Sequence, residues 1–286
     1  MIQYHQIPEL LEFYEINDID YLSQCRLAYT YLEENHLFNK FEELYHRLFL
    51  EGDLFLKFWY TPTPEALFEC EVHPFATNLL LLSGGYLHQQ KMKELNFDEY
   101  QIKKHILRVR GTLTNDLIVK KLPGIRVSQV IWGAYFIHGK IIECGSLQFE
   151  HAKANPFLGW DKTHVEIHIP IGTSLKKEDV VDSINKAKND VRKYFGLENV
   201  DFCCFSWLLS PQVYEYLPQN SNIKHFYEMF IVEQKDDCES DIRNHLFNDT
   251  KKVGYEELPE KTSLQKSIKT ALLNGVKFYR GKGTLK

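Results

Sequence analysis

Along the first 120 or so positions, apolar residues recur at spacings of three and four. Between residues 36 and 50 the positions Leu37, Phe38, Phe41, Leu44, Tyr45 and Leu48 fall on one stripe, which predicts a helix with a single buried face. Pro62 and Pro64 punctuate a loop, after which residues 78–95 and 98–121 return to the helical pattern, with Gly84-Gly85 as an internal weak point. Pro123-Gly124 is the sharpest break, and a domain boundary is expected close behind it. The expected division is a helical domain over residues 1–130 and a second domain over 131–286.

Past that break the period changes. Residues 135–150 (YFIHGKIIECGSLQFE) hold two short apolar runs separated by glycines, the pattern of a hairpin. Residues 163–170 (THVEIHIP) alternate strictly, with Val165, Ile167 and Ile169 on one side and His164, Glu166 and His168 on the other. That is a strand, and Pro170 suits its end. A helix is expected over 178–195, where Val180, Ile184, Ala187, Val191 and Tyr194 form a stripe and Gly196 stands at the C-terminal cap. Residues 201–209 (DFCCFSWLL) read as a buried strand. Ser210-Pro211 opens a helix to about Leu217, and residues 225–233 read as a further strand. A last helix over 262–274 ends at Gly275, a final strand is expected over 276–279, and residues 235–261 are expected to be the most mobile region. The order of elements predicts an α+β, mixed α/β second half behind a helical first half.

Composition narrows the function classes. Hydrophobic residues make up 44% and aromatics 14% of 286 positions, enough for a folded core. The net charge of −5, with Lys103-Lys104, Lys120-Lys121 and Lys251-Lys252 scattered, leaves no basic face for nucleic acid. Cys25, Cys70, Cys144, Cys203, Cys204 and Cys238 show neither a CxxC pair nor a framework spacing, so a disulfide scaffold and a structural zinc site are disfavoured. The longest apolar run, Leu79 to Leu82, is far short of the roughly 20 residues of a membrane span, and the N-terminus has no signal-peptide pattern. A cytoplasmic protein without a membrane partner is expected.

Several segments of the second half resemble bacterial acyltransferase-domain proteins, which join a helical N-acyltransferase N-terminal domain to a GNAT-like C-terminal domain. The segments are GSLQFE (145–150), HIPIGTSL (168–175), FSWLLSPQVYEYLPQNSNI (205–223), LPEKTSLQKSI (258–268) and LLNG (272–275), spread through most of residues 130–286. The resemblance implies an acyl-CoA N-acyltransferase fold, with residues 163–170 as its fourth strand and 201–209 as its fifth. In that fold the two strands splay and the acyl thioester lies between them. The turn into the following helix offers backbone N–H groups to the pyrophosphate. Implied here are acyl-CoA or acetyl-CoA as co-substrate and Ile169, Gly172, Thr173, Ser174 and Leu175 as its contacts, with Ser206 and Ser210 as further hydrogen-bonding candidates. The family places a Q/R-x-x-G-x-G/A pattern in that turn. This chain has Ile171-Gly172-Thr173-Ser174-Leu175, one glycine and no arginine. An ordinary strand-to-helix turn is the alternative reading.

N-acyl transfer requires a base for the amine, donors for the thioester oxyanion and an acid for the leaving thiolate. Glu166, flanked on its strand face by His164 and His168, is the candidate base, with His164 behind it. The alternative is a polar strand face that meets solvent or the helical domain. Tyr214, one turn into the helix after the fifth strand, occupies a position from which a tyrosine of this family protonates the thiolate; packing is its alternative. Neither Ser206 nor Ser210 lies in a GxSxG elbow. Cys203-Cys204, in an apolar run, reads as a pair of buried inert thiols, and Glu143 and Glu150 end strands of the hairpin and could face the same cleft, though nothing in the sequence places them there.

The expected acceptor is a small-molecule or peptide amine. Two other classes stay open. One is a sensor or interaction module that keeps the fold without the chemistry. The other is a metal-dependent enzyme using the His164-x-Glu166-x-His168 strand face, although residues two apart on a strand are roughly 7 Å apart, so only two of the three suit one ion. With an acyl-CoA reading no metal is expected. The aromatic group Phe55, Phe58, Trp59 and Tyr60 either covers the cleft or packs.

Overall fold

The computed structural model of the chain describes residues 2–51, 63–119, 123–154, 160–249 and 252–286, so Phe55, Phe58, Trp59 and Tyr60 lie outside the described residues. The chain divides into two compact units, Met1–Ile142 and Glu143–Lys286.

The first unit is helical: α1 (Ile7–Phe13), α2 (Ile19–Glu34), α3 (Phe38–Tyr45), α4 (Pro64–Phe68), α5 (Ala76–Ser83), α6 (Gly85–Glu94), α7 (Glu99–Val119) and α8 (Val127–Ile137). Every residue of α5 is buried, as suits a helix apolar on all sides. Its three polar members are all hydrogen-bonded, Ser83 to the Leu80 carbonyl at 2.6 Å. Asn78 donates to Tyr21 Oη (2.8 Å) and to the Leu113 carbonyl (3.1 Å), and accepts from the Ile125 N–H (3.0 Å), while Thr77 donates to the Ile125 carbonyl (2.8 Å). The helix α8 runs across position 130 and takes up Tyr135–Ile137, which the alternation at 135–150 assigns to a hairpin. Its buried residues Val127, Val130, Ile131, Ala134, Phe136 and Ile137 recur at helical spacing.

A buried polar chain crosses this unit. Tyr14 Oη is 3.1 Å from His88 Nδ1, and His88 Nε2 is 3.2 Å from His105 Nδ1, all three residues being fully enclosed. Burial holds both imidazoles neutral, pushing His105 down to about 4 and His88 well below the usual histidine range. A base whose folded pKa lies below its unfolded one contributes full stability above about pH 6.5 and loses it as pH falls from there toward 4. Amide exchange in α6 and α7, corrected for intrinsic rates, should therefore show weaker protection at pH 5 than at pH 7.5. Equal protection at the two values would refute the neutral pair.

The second unit is a mixed sheet with helices. In chain order it has β1 (Ile141–Cys144, which begins two residues before the unit), β2 (Leu147–Ala152), β3 (His164–His168), α9 (Lys177–Phe195), β4 (Phe202–Ser206), α10 (Pro211–Glu215), α11 (Asn222–Glu228), β5 (Phe230–Asp237), α12 (Glu239–Ile242), α13 (Ser263–Leu273) and β6 (Tyr279–Leu285). The spatial order is β1-β2-β3-β4-β6-β5. The pairs β2–β3, β4–β6 and β5–β6 are antiparallel, and β3–β4 is parallel, joined by α9 as a parallel connection requires. The α9 stripe of Val180, Ile184, Ala187 and Val191 is buried, the helix packs against β2, and Gly196 closes it. A second cluster gathers Val213, Leu217, Cys238, Ile242, Ile268, Leu272 and Phe278. Among the described residues no helix is long and apolar enough to cross a membrane.

Three further expected elements differ. Residues 222–228 form helix α11, so the strand expected from 225 begins only at Phe230; Ile223 and Phe226 sit at helical spacing, and Phe226 is buried. The strand expected over 201–209 stops at Ser206, whose hydroxyl accepts from the Leu208 N–H (3.1 Å) and caps a 3-10 turn over Trp207–Leu209. The last strand is Tyr279–Leu285 rather than residues 276–279. Gly281 and Gly283 are both enclosed in the sheet. Within the expected mobile region, of which residues 250 and 251 lie outside the described ones, Arg243 gathers Glu239 (2.8 Å), Asp249 (2.6 Å) and the Val253 carbonyl (3.0 Å) around one guanidinium.

Candidate active site

The strand β3 keeps all five of its residues paired with β2, from Gln148↔His168 to Ala152↔His164, and β4 keeps residues 203–206 paired with β6. Between β3 and β4 the ladder has two steps, Val165↔Phe202 and Glu166↔Cys203. Beyond them each strand stays with its outer neighbour and the two no longer pair. The parting starts at Glu166, the middle residue of β3.

Alternation puts Val165 and Ile167 on the packed face and His164, Glu166 and His168 on the other. The register then brings in a residue from β2, because Glu150 stands directly opposite Glu166 and cross-strand partners share a face. His168 Nε2 is 2.8 Å from Glu150 Oε2. Ligand atoms of Glu150, Glu166 and His168 all lie within 4.8 Å of one another. Neighbouring Gln148, also buried, donates to Glu143 Oε1 at 2.7 Å.

Glu166 and His168, this close and largely buried, influence each other's protonation beside the Glu150 side chain. Burial pushes the Glu166 carboxyl up to about 7, the His168 charge pulls it back, and the Glu150 carboxylate adds to the rise. For His168 burial works against the charged ring, but the hydrogen bond to Glu150 and the charges of both carboxylates outweigh it and raise its pKa. The arrangement is a hydrogen-bonded Glu150–His168 pair beside a carboxyl that changes charge near neutral pH. Such a group can accept a proton at physiological pH.

His164 lies on the same face but outside that set. It is 2% exposed and its ring lies against that of Trp160, with centroids 4.5 Å apart; Nδ1 faces the Lys162 carbonyl at 3.2 Å. Burial lowers its pKa. The ligand-type set that the structure gathers among the described residues is therefore Glu150, Glu166 and His168, not His164, Glu166 and His168, because the register supplies a closer group from the next strand than the strand's own spacing can.

The turn between β3 and α9 is built tightly. Gly172 has φ +86, a conformation that favours glycine, and Leu175 has φ +52. The Thr173 N–H donates to the Pro170 carbonyl (3.1 Å), the Thr173 hydroxyl to the Ser146 carbonyl (3.3 Å), and the Asn222 amide to the Ser174 carbonyl (2.9 Å). Leu175 is buried at 3%, Ile169 is half-buried, and Gly172 and Ser174 are exposed. No side chain caps the N-terminus of α9. A 19-residue helix thus presents an uncapped first turn behind an exposed glycine turn, with free N–H groups that suit an anion and with Glu178 and Asp179 in the same turn that oppose one.

The other sequence candidates have local partners. Ser206 caps the 3-10 turn. Ser210 is fully buried, caps α10 by accepting from the Val213 N–H (3.3 Å), and donates to Gln212 Oε1 (3.1 Å). Their hydroxyls carry backbone structure. The Tyr214 hydroxyl donates to Glu228 Oε1 (3.0 Å) under a ring flanked by Tyr227 and by Lys224 Nζ at 4.4 Å, and the bond to Glu228 raises its pKa. The partners Glu150 and Glu228 cannot be found by periodicity, since each is set by a register or a helix crossing.

A family model for the GNAT-like C-terminal domain matches residues 141–285. No curated protein matches the chain. Among solved structures, an acyltransferase in complex with decanoyl-CoA is similar over 100% of this chain and 88% of its own, at 18% identity and a TM-score of 0.74. An acyltransferase in complex with CoA and 10C-teicoplanin is similar over 98% and 87%, at 19% identity and a TM-score of 0.78. At these identities the likeness concerns the fold, a helical part followed by the mixed sheet. The parting of β3 from β4, the uncapped α9 and the match over the whole second unit converge, and the chain belongs to the family of proteins with a GNAT-like C-terminal domain.

Proposed function

We propose that the protein is an acyl-CoA-dependent N-acyltransferase acting on a small-molecule or peptide amine. The observation that carries this reading is the two-step β3–β4 ladder, which ends at Glu166, two residues before β3 itself ends and the chain runs on to the glycine turn before α9. The thioester lies in the parting, with the CoA pyrophosphate over Gly172, Thr173 and Ser174 and the α9 N-terminus. Glu166 takes the proton from the attacking amine, held near its working range by burial and by the Glu150–His168 pair. Tyr214 on α10 is the candidate acid, and it must exchange its bond to Glu228 for one to the leaving sulfur. The relatives bind decanoyl-CoA, CoA and 10C-teicoplanin, which supports a long acyl donor.

Calorimetric titration with acetyl-CoA and decanoyl-CoA tests the donor. Saturable heat at micromolar concentrations is expected for at least one of them, and none at millimolar ligand would end the reading. The same cluster supports one other reading, a divalent ion on Glu150, Glu166 and His168. Elemental analysis separates the two: one equivalent of zinc or iron in the purified protein would assign the cluster to a metal.

A further inference from the structure

Two buried polar atoms in the second unit have no hydrogen-bond partner and belong to neighbouring rings: the indole Nε1 of Trp160 and the imidazole Nε2 of His164. Trp160 is 7% and His164 2% exposed, and their rings are tilted by 30° with centroids 4.5 Å apart. An unpaired polar group held out of water costs free energy comparable to a lost hydrogen bond, so two on neighbouring rings mark a place where something else binds.

The chemistry of the pair defines what that is. The indole N–H only donates. The other ring nitrogen of His164 faces the Lys162 carbonyl at 3.2 Å, and since a carbonyl only accepts, Nδ1 carries the proton and Nε2 presents a lone pair. A donor beside an acceptor is complementary to a group that accepts and donates at once. A hydroxyl does this; a carboxylate, an ammonium or an alkyl group does not. Lys282 sharpens the donor, because its Nζ lies 4.0 Å over the Trp160 ring and draws electron density from the indole.

We infer that Trp160 Nε1 and His164 Nε2 form a subsite for a hydroxyl of the acceptor, so that the preferred acceptors are hydroxylated amines. This rests on the acyl-transfer reading above. His164 and Glu166 share one strand face two residues apart, roughly 7 Å, so a hydroxyl held at His164 leaves an amine a few bonds away within reach of Glu166.

The test uses 3-aminopropan-1-ol and butylamine, which differ in a terminal hydroxyl against a methyl. In nitrogen-15 spectra of the full chain, the indole signal of Trp160, identified among four tryptophans by its loss in Trp160→Phe, should shift saturably with the amino alcohol and stay in place with butylamine. In His164→Asn the discrimination should fall at least fivefold; if Trp160→Phe fails to fold, that variant carries the comparison and the signal is assigned through its contacts to His164. With decanoyl-CoA, kcat/KM for the amino alcohol should exceed that for butylamine at least tenfold, and the ratio should drop toward one in Trp160→Phe. A Trp160 signal that moves with neither amine means a resident water only, and one that moves equally with both means apolar contact; either overturns the subsite. Failure of the acyl-transfer reading is visible separately, as absence of heat with decanoyl-CoA while the spectra still distinguish the two amines.

Discussion

Replacing Glu166 by glutamine is expected to lower kcat/KM for acyl transfer by about 10²- to 10⁴-fold, the span typical of losing a positioned general base. Glutamine keeps the volume and the cross-strand position opposite Glu150, so acyl-CoA affinity should change less than about threefold. The pH profile supplies the second half of the test. In the wild type kcat/KM should rise through about 7 as the Glu166 carboxyl loses its proton, and this limb should be missing in Glu166→Gln. Stability should move the other way. A carboxyl with its folded pKa raised above 4.5 favours the folded state fully below 4.5, and that contribution is lost as pH rises through about 7. The variant should therefore lose less stability than the wild type between pH 5 and pH 8. A fall in rate of less than tenfold with the limb intact would move the base elsewhere, first to His164 or His168.

Much of the second unit was legible from period alone. The face carrying His164, Glu166 and His168 follows from alternation, and the α9 stripe from Val180 to Val191 follows from helical spacing. What alternation cannot carry is register. Glu150 meets Glu166 and His168 only because β2 pairs with β3 in one alignment, and a slip of one residue would turn Glu150 to the packed face. Ser206 and Ser210 show another limit: serine next to a strand end is equally a ligand donor or a cap, and here the N–H groups of Leu208 and Val213 decide for the cap. The helix α11 was hidden because its seven residues place Ile223, Phe226 and Tyr227 where a short strand template fits as well as a helical one. The orphaned atoms of Trp160 and His164 left no trace in composition, since an unmet hydrogen bond is a property of three-dimensional enclosure.

The second large effect concerns β6 and its glycines. Gly281 pairs with Ser206, the last residue of β4, while the 3-10 turn over Trp207–Leu209 folds back across it. A Cβ at position 281 would overlap the Leu209 carbonyl oxygen, which is backbone and cannot rotate away. Gly281→Ala is therefore expected to destabilise the protein by about 3 kcal/mol, at the upper end of overpacking costs. At Gly283 the nearest atoms are the Leu209 Cδ1 at 2.7 Å and the Phe230 Cβ at 2.9 Å, of which the first can yield, so alanine there should cost less. Gly172→Ala isolates the remaining term, since its φ is +86 with open space around it, and backbone strain alone predicts about 1 kcal/mol. Urea unfolding of the three variants should rank them Gly281 first, Gly283 second and Gly172 last. A Gly281→Ala protein as stable as the wild type would mean that the Trp207–Leu209 turn does not rest on β6. The cost also reaches the site, because β6 is the strand that β4 follows once it has left β3. Any shift that relieves Leu209 moves the wall of the parting in which the thioester is proposed to lie.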